Sequence, residues 1–288
     1  MRQRFLWLMG AASAAGVIIA PAAWPPAALG QNIMRQPGAV YDVDVPGEKP
    51  APAPRRDISG VWEPATSANA GVNANGAQQM PSDGRPEHEL PFTPAGRTAF
   101  LANKPSRGVT AVPIAESNDP FQACDPQGFP RIVLHNFRTA RILQTPENVV
   151  ILYLYNRKWR VIWTDGRELA RYVEDPRWWG YSVGRWEDDY TFLVESAGFD
   201  ERTWLDNAGR PHSDVMRVEE RYHRTDRDHL EMTVVIDDPK YYSRPWRALV
   251  LPLRLQSPGF DIPENECVPS EMALYEKLFA EPSEGSGP

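Results

Sequence analysis

The chain has 288 residues, of which 42% are hydrophobic, and its formal net charge at pH 7 is -7. A protein this acidic lacks the basic surface that binds phosphates, which argues against a nucleic-acid partner. Ten residues each of Trp, Tyr and Phe support a large core, an aromatic-lined pocket, or both.

Residues 1–30 have the three parts of a secretory signal peptide. Arg2 and Arg4 form a basic start, an apolar run over 5–23 follows, and small residues precede Gln31. The apolar run is nearly long enough to span a bilayer, but prolines interrupt its end, which favours cleavage over a membrane anchor. We therefore expect a periplasmic or secreted protein with no membrane span after signal cleavage.

The segment after the signal peptide alternates between polar stretches and short predicted elements. Residues 31–56 are a Pro-rich linker, and 57–63 read as a first strand. Residues 65–87 contain almost no large apolar side chains that a core could bury, which predicts a disordered insertion. A Thr-Pro pair at 93–94 then predicts a capped short helix over 94–103.

Strands dominate the chain from residue 132 onward. Residues 149–155 are continuously apolar, and 157–163 alternate. The alternation predicts a buried face that carries Trp159, Val161 and Trp163, with Lys158 and Arg160 on the other face. Two predicted hairpins follow, 181–187 with 190–197 and 214–224 with 229–237, and then a strand over 246–256 and a terminal helix after Ser270.

This order predicts a mainly β fold, an antiparallel up-and-down barrel with a short helix near 94–103 and a C-terminal helix. About ten consecutive strands with one apolar face tend to close, because closure removes the exposed edges. A two-sheet β-sandwich uses the same alternation and is the alternative. We expect residues 57–280 to form the single barrel domain and 281–288 to be a disordered tail.

The chain contains two cysteines, Cys124 and Cys267. An even number of cysteines in an exported chain predicts a disulfide, here one that closes a loop of more than a hundred residues. The alternative is two free buried thiols.

Two resemblances support this fold. The strand that contains Gly60-Val61-Trp62, followed by a meander, resembles the start of lipocalin-like (calycin) β-barrels. A second pattern, within about 120–270, is similar to a group of exported bacterial proteins of unknown function. Its matching positions include Trp159-Arg160, Asp165-Gly166-Arg167-Glu168, Trp179-Gly180-Tyr181-Ser182-Val183-Gly184-Arg185-Trp186-Glu187, Gly198-Phe199, Arg202-Thr203-Trp204-Leu205-Asp206, Pro211-His212-Ser213-Asp214 and Glu220-Arg221-Tyr222. The resemblance implies export and a β-rich fold, and it assigns no catalytic residue.

The polar loop over 198–214 supplies the candidate catalytic residues. His212 and Asp214 are two apart at the mouth of a predicted strand, so they share a side and form the best acid–base pair. Asp206 adds a second carboxylate, and Glu220 lies on an otherwise apolar strand face. Such a carboxylate is either paired, here with an inward arginine such as Arg185 or Arg202, or functional. The alternative for the loop is a purely structural hydrogen-bond network.

Aromatic side chains supply the candidate ligand-binding residues. The assigned set is Trp159, Trp163, Trp186, Arg202, Trp204 and Tyr222, with Trp178 and Trp179 as further tryptophans that could line a pocket. The alternative is that most of them are core. The five histidines lack the close spacing of a metal site, so we predict no metal and no cofactor.

Three functional hypotheses follow from these residues. The first is an exported soluble barrel that binds a small hydrophobic or aromatic molecule. The second is a small-molecule isomerase, lyase or hydratase, or hydrolase, that uses His212 and Asp214 as acid and base. The third is an envelope interaction protein without a ligand.

Overall fold

The structure is a computed structural model that describes residues 49–65, 85, 89–135, 137 and 139–280. The predicted signal peptide over 1–30, most of the predicted linker and insertion, and the predicted tail over 281–288 lie outside the described residues.

Nine strands among the described residues close into a barrel, and each strand pairs with its neighbours in chain order. The last strand pairs with the first, so the sheet has no free edge. The prediction of a mainly β barrel is therefore confirmed. The strands are β1 (Gly60–Pro64), β2 (Ala140–Gln144), β3 (Asn148–Tyr153), β4 (Trp159–Trp163), β5 (Tyr181–Trp186), β6 (Thr191–Ala197), β7 (Arg217–Arg224), β8 (His229–Asp237) and β9 (Trp246–Leu255).

One junction in the barrel departs from the predicted antiparallel pattern. Strands β4 and β5 run parallel, and a single pair of facing residues, Trp163 and Val183, joins them. A parallel neighbour requires the chain to return along the barrel, and residues 164–180 make that return without forming a strand. The barrel is therefore mixed, with a weakly paired seam between β4 and β5.

The core fills the barrel interior with inward side chains of alternate residues. On β8 the inward residues are Leu230, Met232, Val234 and Ile236, each no more than 1% exposed. On β9 a β-bulge opposite Val234 and Val235 shifts the pairing register, so that side chains on both sides of the bulge face the core. Both strands therefore place one row of side chains in the core.

The sidedness predicted for β4 is wrong. Arg160 and Ile162 are its buried residues, whereas Trp159 is exposed and Trp163 is half-buried. Arg160 points inward because a buried carboxylate, Glu220 on β7, pairs with it at 2.5 Å. A charged partner inside the barrel thus determines which face of β4 is buried.

Three short α-helices in the described part of the chain accompany the barrel. The predicted helix near 94–103 is α1 (Pro94–Ala102), and the Thr93 hydroxyl accepts a hydrogen bond from the Gly96 amide. A one-turn helix, α2 (Arg131–Leu134), precedes β2. The predicted C-terminal helix is α3 (Pro269–Tyr275), which continues as a π-helical turn over Glu276–Ala280.

The predicted disulfide between Cys124 and Cys267 is confirmed. It links the loop before α2 to the segment that leads into α3, across 143 residues of sequence. No helix in the described part of the chain has the length and apolar character needed to cross a bilayer.

Candidate functional site

A cavity of about 790 Å³ lies along the seam between β4 and β5. Its walls come from three consecutive parts of the chain, namely β4, the return segment over 164–180, and the first half of β5. Outward residues of the two strands, among them Trp159, Trp163 and Val183, form the strand side of the cavity. The lining residues are Lys158, Trp159, Arg160, Val161, Trp163, Arg167, Glu168, Leu169, Ala170, Tyr172, Val173, Pro176, Arg177, Trp178, Trp179, Gly180, Tyr181, Ser182 and Val183.

Aromatic rings dominate the cavity wall. Trp159 and Tyr172 are 62% and 79% exposed, so two large rings lie open to solvent at the cavity. Trp179 lies deeper and stacks against the buried Tyr153 ring, with 5.7 Å between the ring centroids. The wall therefore runs from exposed rings to rings that contact the barrel core, an arrangement typical of sites for flat apolar molecules.

Four cationic side chains and one carboxylate line the same cavity. The cations are Lys158, Arg160, Arg167 and Arg177, and the carboxylate is Glu168. Arg167 forms an ion pair with Asp165 at 2.5 Å and covers the Trp163 ring.

Arg177 covers the ring of Tyr181, with 4.1 Å between its guanidinium carbon and the ring centroid. Among the described residues no carboxylate forms an ion pair with Arg177 or Lys158. These two side chains therefore contribute positive charge that no described neighbour neutralises.

A buried polar network lies inside the barrel, on the face of β4 opposite Trp159 and Trp163. Arg160 Nη2 donates to Glu220 Oε2 at 2.5 Å and to Ser196 Oγ at 2.7 Å, and Nε donates to Ser182 Oγ at 2.9 Å. The Tyr222 hydroxyl donates to Glu220 Oε1 at 2.7 Å. The Arg160 side chain is 2% exposed and that of Glu220 is fully buried, so the pair is shielded from solvent.

This arrangement corrects one prediction about Glu220. The expected inward partner was Arg185 or Arg202, but the partner is Arg160. Arg185 pairs with Glu195 on the outer surface, and Arg202 pairs with Asp200.

The network strongly affects the ionisation of its members. Burial opposes the charge of Arg160, but the Glu220 carboxylate together with Tyr153 and Tyr222 outweighs burial and raises the pKa of the guanidinium. Burial raises the pKa of Tyr153 to about 12, although the charge of Arg160 opposes this shift. Burial, together with the charge of Glu220, raises the pKa of Tyr222 well above its usual value. Both phenols therefore stay protonated at neutral pH.

Two polar atoms of this network form no hydrogen bond of standard geometry among the described residues. They are Arg160 Nη1 and the Tyr153 hydroxyl, both buried. A buried donor without an acceptor costs about 1–3 kcal/mol. The two groups interact with each other inside the barrel, and the Arg160 guanidinium lies over the Phe129 ring with 3.8 Å between its carbon and the ring centroid.

The residues assigned to ligand binding fall into two groups. Trp159 and Trp163 line the cavity, as do the further tryptophans Trp178 and Trp179. The other four lie elsewhere: Trp186 packs against the Phe192 ring, Arg202 covers the Trp178 ring, Trp204 is buried near Arg131, and Tyr222 bonds Glu220 inside the barrel.

The contacts of the candidate catalytic residues do not gather them around one cavity. His212 is buried, its Nε2 lies 2.5 Å from the Thr203 hydroxyl, and its Nδ1 lies 3.2 Å from the Ser213 carbonyl oxygen. Asp214 is exposed and pairs with Lys240 at 2.8 Å.

Two further carboxylates near this loop have partners of their own. Asp206 is fully buried and pairs with Arg210 at 2.9 Å. Ser213 follows His212, and its amide and its hydroxyl both donate hydrogen bonds to the Asp238 carboxylate, each at 2.7 Å. Acid–base chemistry at His212, Asp214, Asp206 and Glu220 stays a prediction.

Sequence reasoning missed the cationic part of the site. Arg160 was assigned to the solvent face of β4, and neither Arg177 nor Tyr172 was selected. One signal for Arg160 was present, because a carboxylate predicted on the inner face of β7 requires an inward cation. No pattern in residues 164–180 indicates that this segment folds over the seam.

Within the described residues no group of three or more His, Cys, Asp and Glu side chains could hold a metal ion. Comparisons with known proteins add no assignment. No protein-family model, no curated protein and no solved structure matches the chain.

Proposed function

We propose that this is an exported β-barrel protein that binds a small hydrophobic or aromatic molecule in the cavity at the β4–β5 seam. The observation that carries the proposal is a cavity of about 790 Å³ whose wall is lined by six Trp and Tyr side chains. Cavities of about 300–1,000 Å³ with apolar and aromatic walls are typical of small-molecule sites.

The exposed rings at the cavity support this proposal. Trp159 and Tyr172 are among the most exposed large hydrophobic side chains of the described residues. A ring that stacks on a bound flat molecule loses this contact with water, and stacked aromatic pairs contribute about 0.5–1.5 kcal/mol beyond burial.

Export is part of the same proposal. The signal-peptide pattern over 1–30 supports it, and the Cys124–Cys267 disulfide fits an oxidising compartment. The resemblance to lipocalin-like barrels favours a binding protein, although lipocalin-type sites are expected inside the barrel. Here the interior is filled by core side chains, and the proposed site lies against outward residues of β4 and β5.

A titration with the neutral probe N-phenyl-1-naphthylamine tests the proposal. We expect saturable fluorescence enhancement, and we expect Trp159→Ala to weaken the affinity about two- to tenfold because one stacking ring is lost. The matched control is Tyr190→Ala, which removes an exposed ring outside the cavity and should leave the affinity unchanged. Non-saturable binding, or equal affinities for the wild type and both variants, would contradict the proposal.

The two alternative functions stay predictions. The enzyme hypothesis requires His212 and Asp214 to act together, and their contacts lead to different partners. The interaction hypothesis requires an exposed apolar patch. Leu274, Tyr275 and Leu278 are exposed on the terminal helix, and nothing on this surface indicates what would cover it.

A further inference from the structure

We infer that residues 165–176, which we call the lid, close over a molecule bound in the cavity at the β4–β5 seam and bring the Tyr172 ring onto it. The inference rests on the proposed function, since a lid needs a ligand to cover. Three features support it: the weak attachment of the lid backbone, the division of its side chains between cavity and solvent, and two exposed rings without ring contacts.

The backbone of the lid is attached at its two ends and not in between. Before the lid, the Thr164 amide donates to the Glu147 carbonyl oxygen at 2.9 Å, and after it the Arg177 amide donates to the Gly198 carbonyl oxygen at 2.9 Å. Among the described residues, the lid forms no backbone–backbone hydrogen bond. Segments with few such bonds open at a low free-energy cost, and the anchored ends serve as hinges.

Two contacts hold the middle of the lid against the barrel. Val173 packs directly on the backbone of Gly198, where a Cβ atom would lie 2.8 Å from the valine side chain. The Tyr181 hydroxyl donates to the Asp175 carbonyl oxygen at 3.2 Å. Val173 is half-buried and lies outside the barrel core, so its release leaves the core packed. The lid can therefore move while the barrel stays folded.

The side chains of the lid are divided between the cavity and solvent. Its apolar side chains line the cavity, namely Leu169, Ala170, Tyr172, Val173 and Pro176. Three of its charged side chains are exposed and do not line the cavity, namely Arg171, Glu174 and Asp175. Closure of such a segment replaces water around an apolar ligand with apolar contacts and leaves these charges hydrated.

Tyr172 on the lid and Trp159 on β4 are the two rings that a ligand can join. Both line the cavity, at 79% and 62% exposure, and neither forms a ring contact with a described residue. Trp159 is fixed in a strand that pairs with β3, so Tyr172 is the ring that moves. A flat molecule on Trp159 gains a second stacking partner when the lid closes.

Stopped-flow fluorescence with N-phenyl-1-naphthylamine tests the role of Tyr172. We expect Tyr172→Ala to raise the dissociation rate constant about three- to tenfold, because the ring that covers the ligand is lost. The association rate constant should change little, because the ring contacts the ligand only after closure. Tyr172→Phe keeps the ring and should retain the wild-type rate. The matched control is Tyr190→Ala, which removes an exposed ring outside the cavity and should change neither rate constant.

Limited proteolysis with trypsin tests the movement of the lid itself. Arg171 is an exposed cleavage site in the lid, and Arg107 is an exposed cleavage site in a loop that does not line the cavity. Cleavage after Arg171 requires the lid to leave the barrel, so saturating N-phenyl-1-naphthylamine should slow it at least about fivefold. Cleavage after Arg107 should keep its rate, which also excludes inhibition of the protease by the probe.

The outcomes separate the inference from the function on which it rests. Equal dissociation rates for the wild type and Tyr172→Ala, or equal rates of cleavage after Arg171 with and without the probe, overturn the lid while the aromatic site stands. If N-phenyl-1-naphthylamine does not bind saturably to the wild type, the proposed function fails and the inference fails with it.

Discussion

At the scale of single residues, Glu220 shows what a sequence pattern can predict and what it cannot. Alternation along β7 predicts that it shares a face with Val218 and Tyr222, and all three are buried. The pattern also requires a partner for the buried charge. It does not identify Arg160, because the partner comes from a strand 60 residues earlier and pairing across a barrel is not encoded in local periodicity.

The buried pair leads to a stability prediction. Glu220→Gln leaves Arg160 charged and without its carboxylate, so we expect the free energy of unfolding to fall by about 3–5 kcal/mol. Glu195→Gln is the matched control, because it breaks an exposed pair with Arg185 and should change the free energy by about 1 kcal/mol or less. Urea unfolding measures both values, and equal losses would show that the buried pair has no special role.

His212 leads to a prediction about pH. Burial lowers the pKa of His212 in the folded protein, so the unfolded chain binds a proton at this residue before the folded chain does. Stability should therefore fall as pH decreases below the usual pKa of about 6.5, by up to about 1.4 kcal/mol per pH unit.

Urea unfolding at several pH values between neutral and mildly acidic checks this slope. His212→Gln should flatten it, and the same substitution at exposed His223 controls for the loss of an imidazole. A wild-type slope in His212→Gln would contradict the assignment.

At the scale of elements, the strands were predicted well and the β4–β5 junction was not. The hairpins β5–β6 and β7–β8 follow from alternation and from the Asp-rich turns between their strands. The inverted face of β4 follows from its charged partner. The parallel pairing was missed because residues 164–180 carry turn formers and no periodic pattern that would reveal a return crossing.

Gly184 on β5 tests how closely the seam is packed. A Cβ atom there would lie 2.4 Å from the Phe192 ring and 2.8 Å from a methyl group of Ile162 on β4. We expect Gly184→Ala to destabilise the protein by about 1–3 kcal/mol, because the core must shift to admit the methyl group.

Thermal or urea unfolding measures this loss. Gly259→Ala is the matched control, since nothing lies within 4 Å of its Cβ position and it should change stability little. An equally small effect at Gly184 would show that the seam is loosely packed.

At the scale of the whole molecule, sequence reasoning predicted the closed barrel and the disulfide correctly. Only some of the residues that it assigned to the ligand site line the cavity. Consecutive strands with one apolar face predict closure, because an open sheet would expose its edges. The tryptophans predict an aromatic pocket, and four of the tryptophans considered line the cavity. Its position against the outer side of β4 and β5 depends on the path of residues 164–180, which composition and periodicity do not record.

The disulfide ties distant parts of the chain together and leads to a stability prediction. Replacing both cysteines, Cys124→Ser with Cys267→Ser, should lower the free energy of unfolding by about 4–5 kcal/mol in the chain-entropy model, because the bond closes a loop of 143 residues. Urea unfolding measures the loss. An unchanged free energy would indicate that the bond does not constrain the unfolded chain.

The most direct measurement of the central claim is an NMR titration of the tryptophan indole N–H signals with N-phenyl-1-naphthylamine. The signals, assigned by single Trp→Phe variants, report which part of the molecule the ligand contacts. The account predicts saturable shifts at Trp159, Trp163, Trp178 and Trp179, with the core residues Trp62 and Trp246 unaffected. Shifts confined to Trp62 and Trp246, or no saturable shift at any of the six, would contradict it.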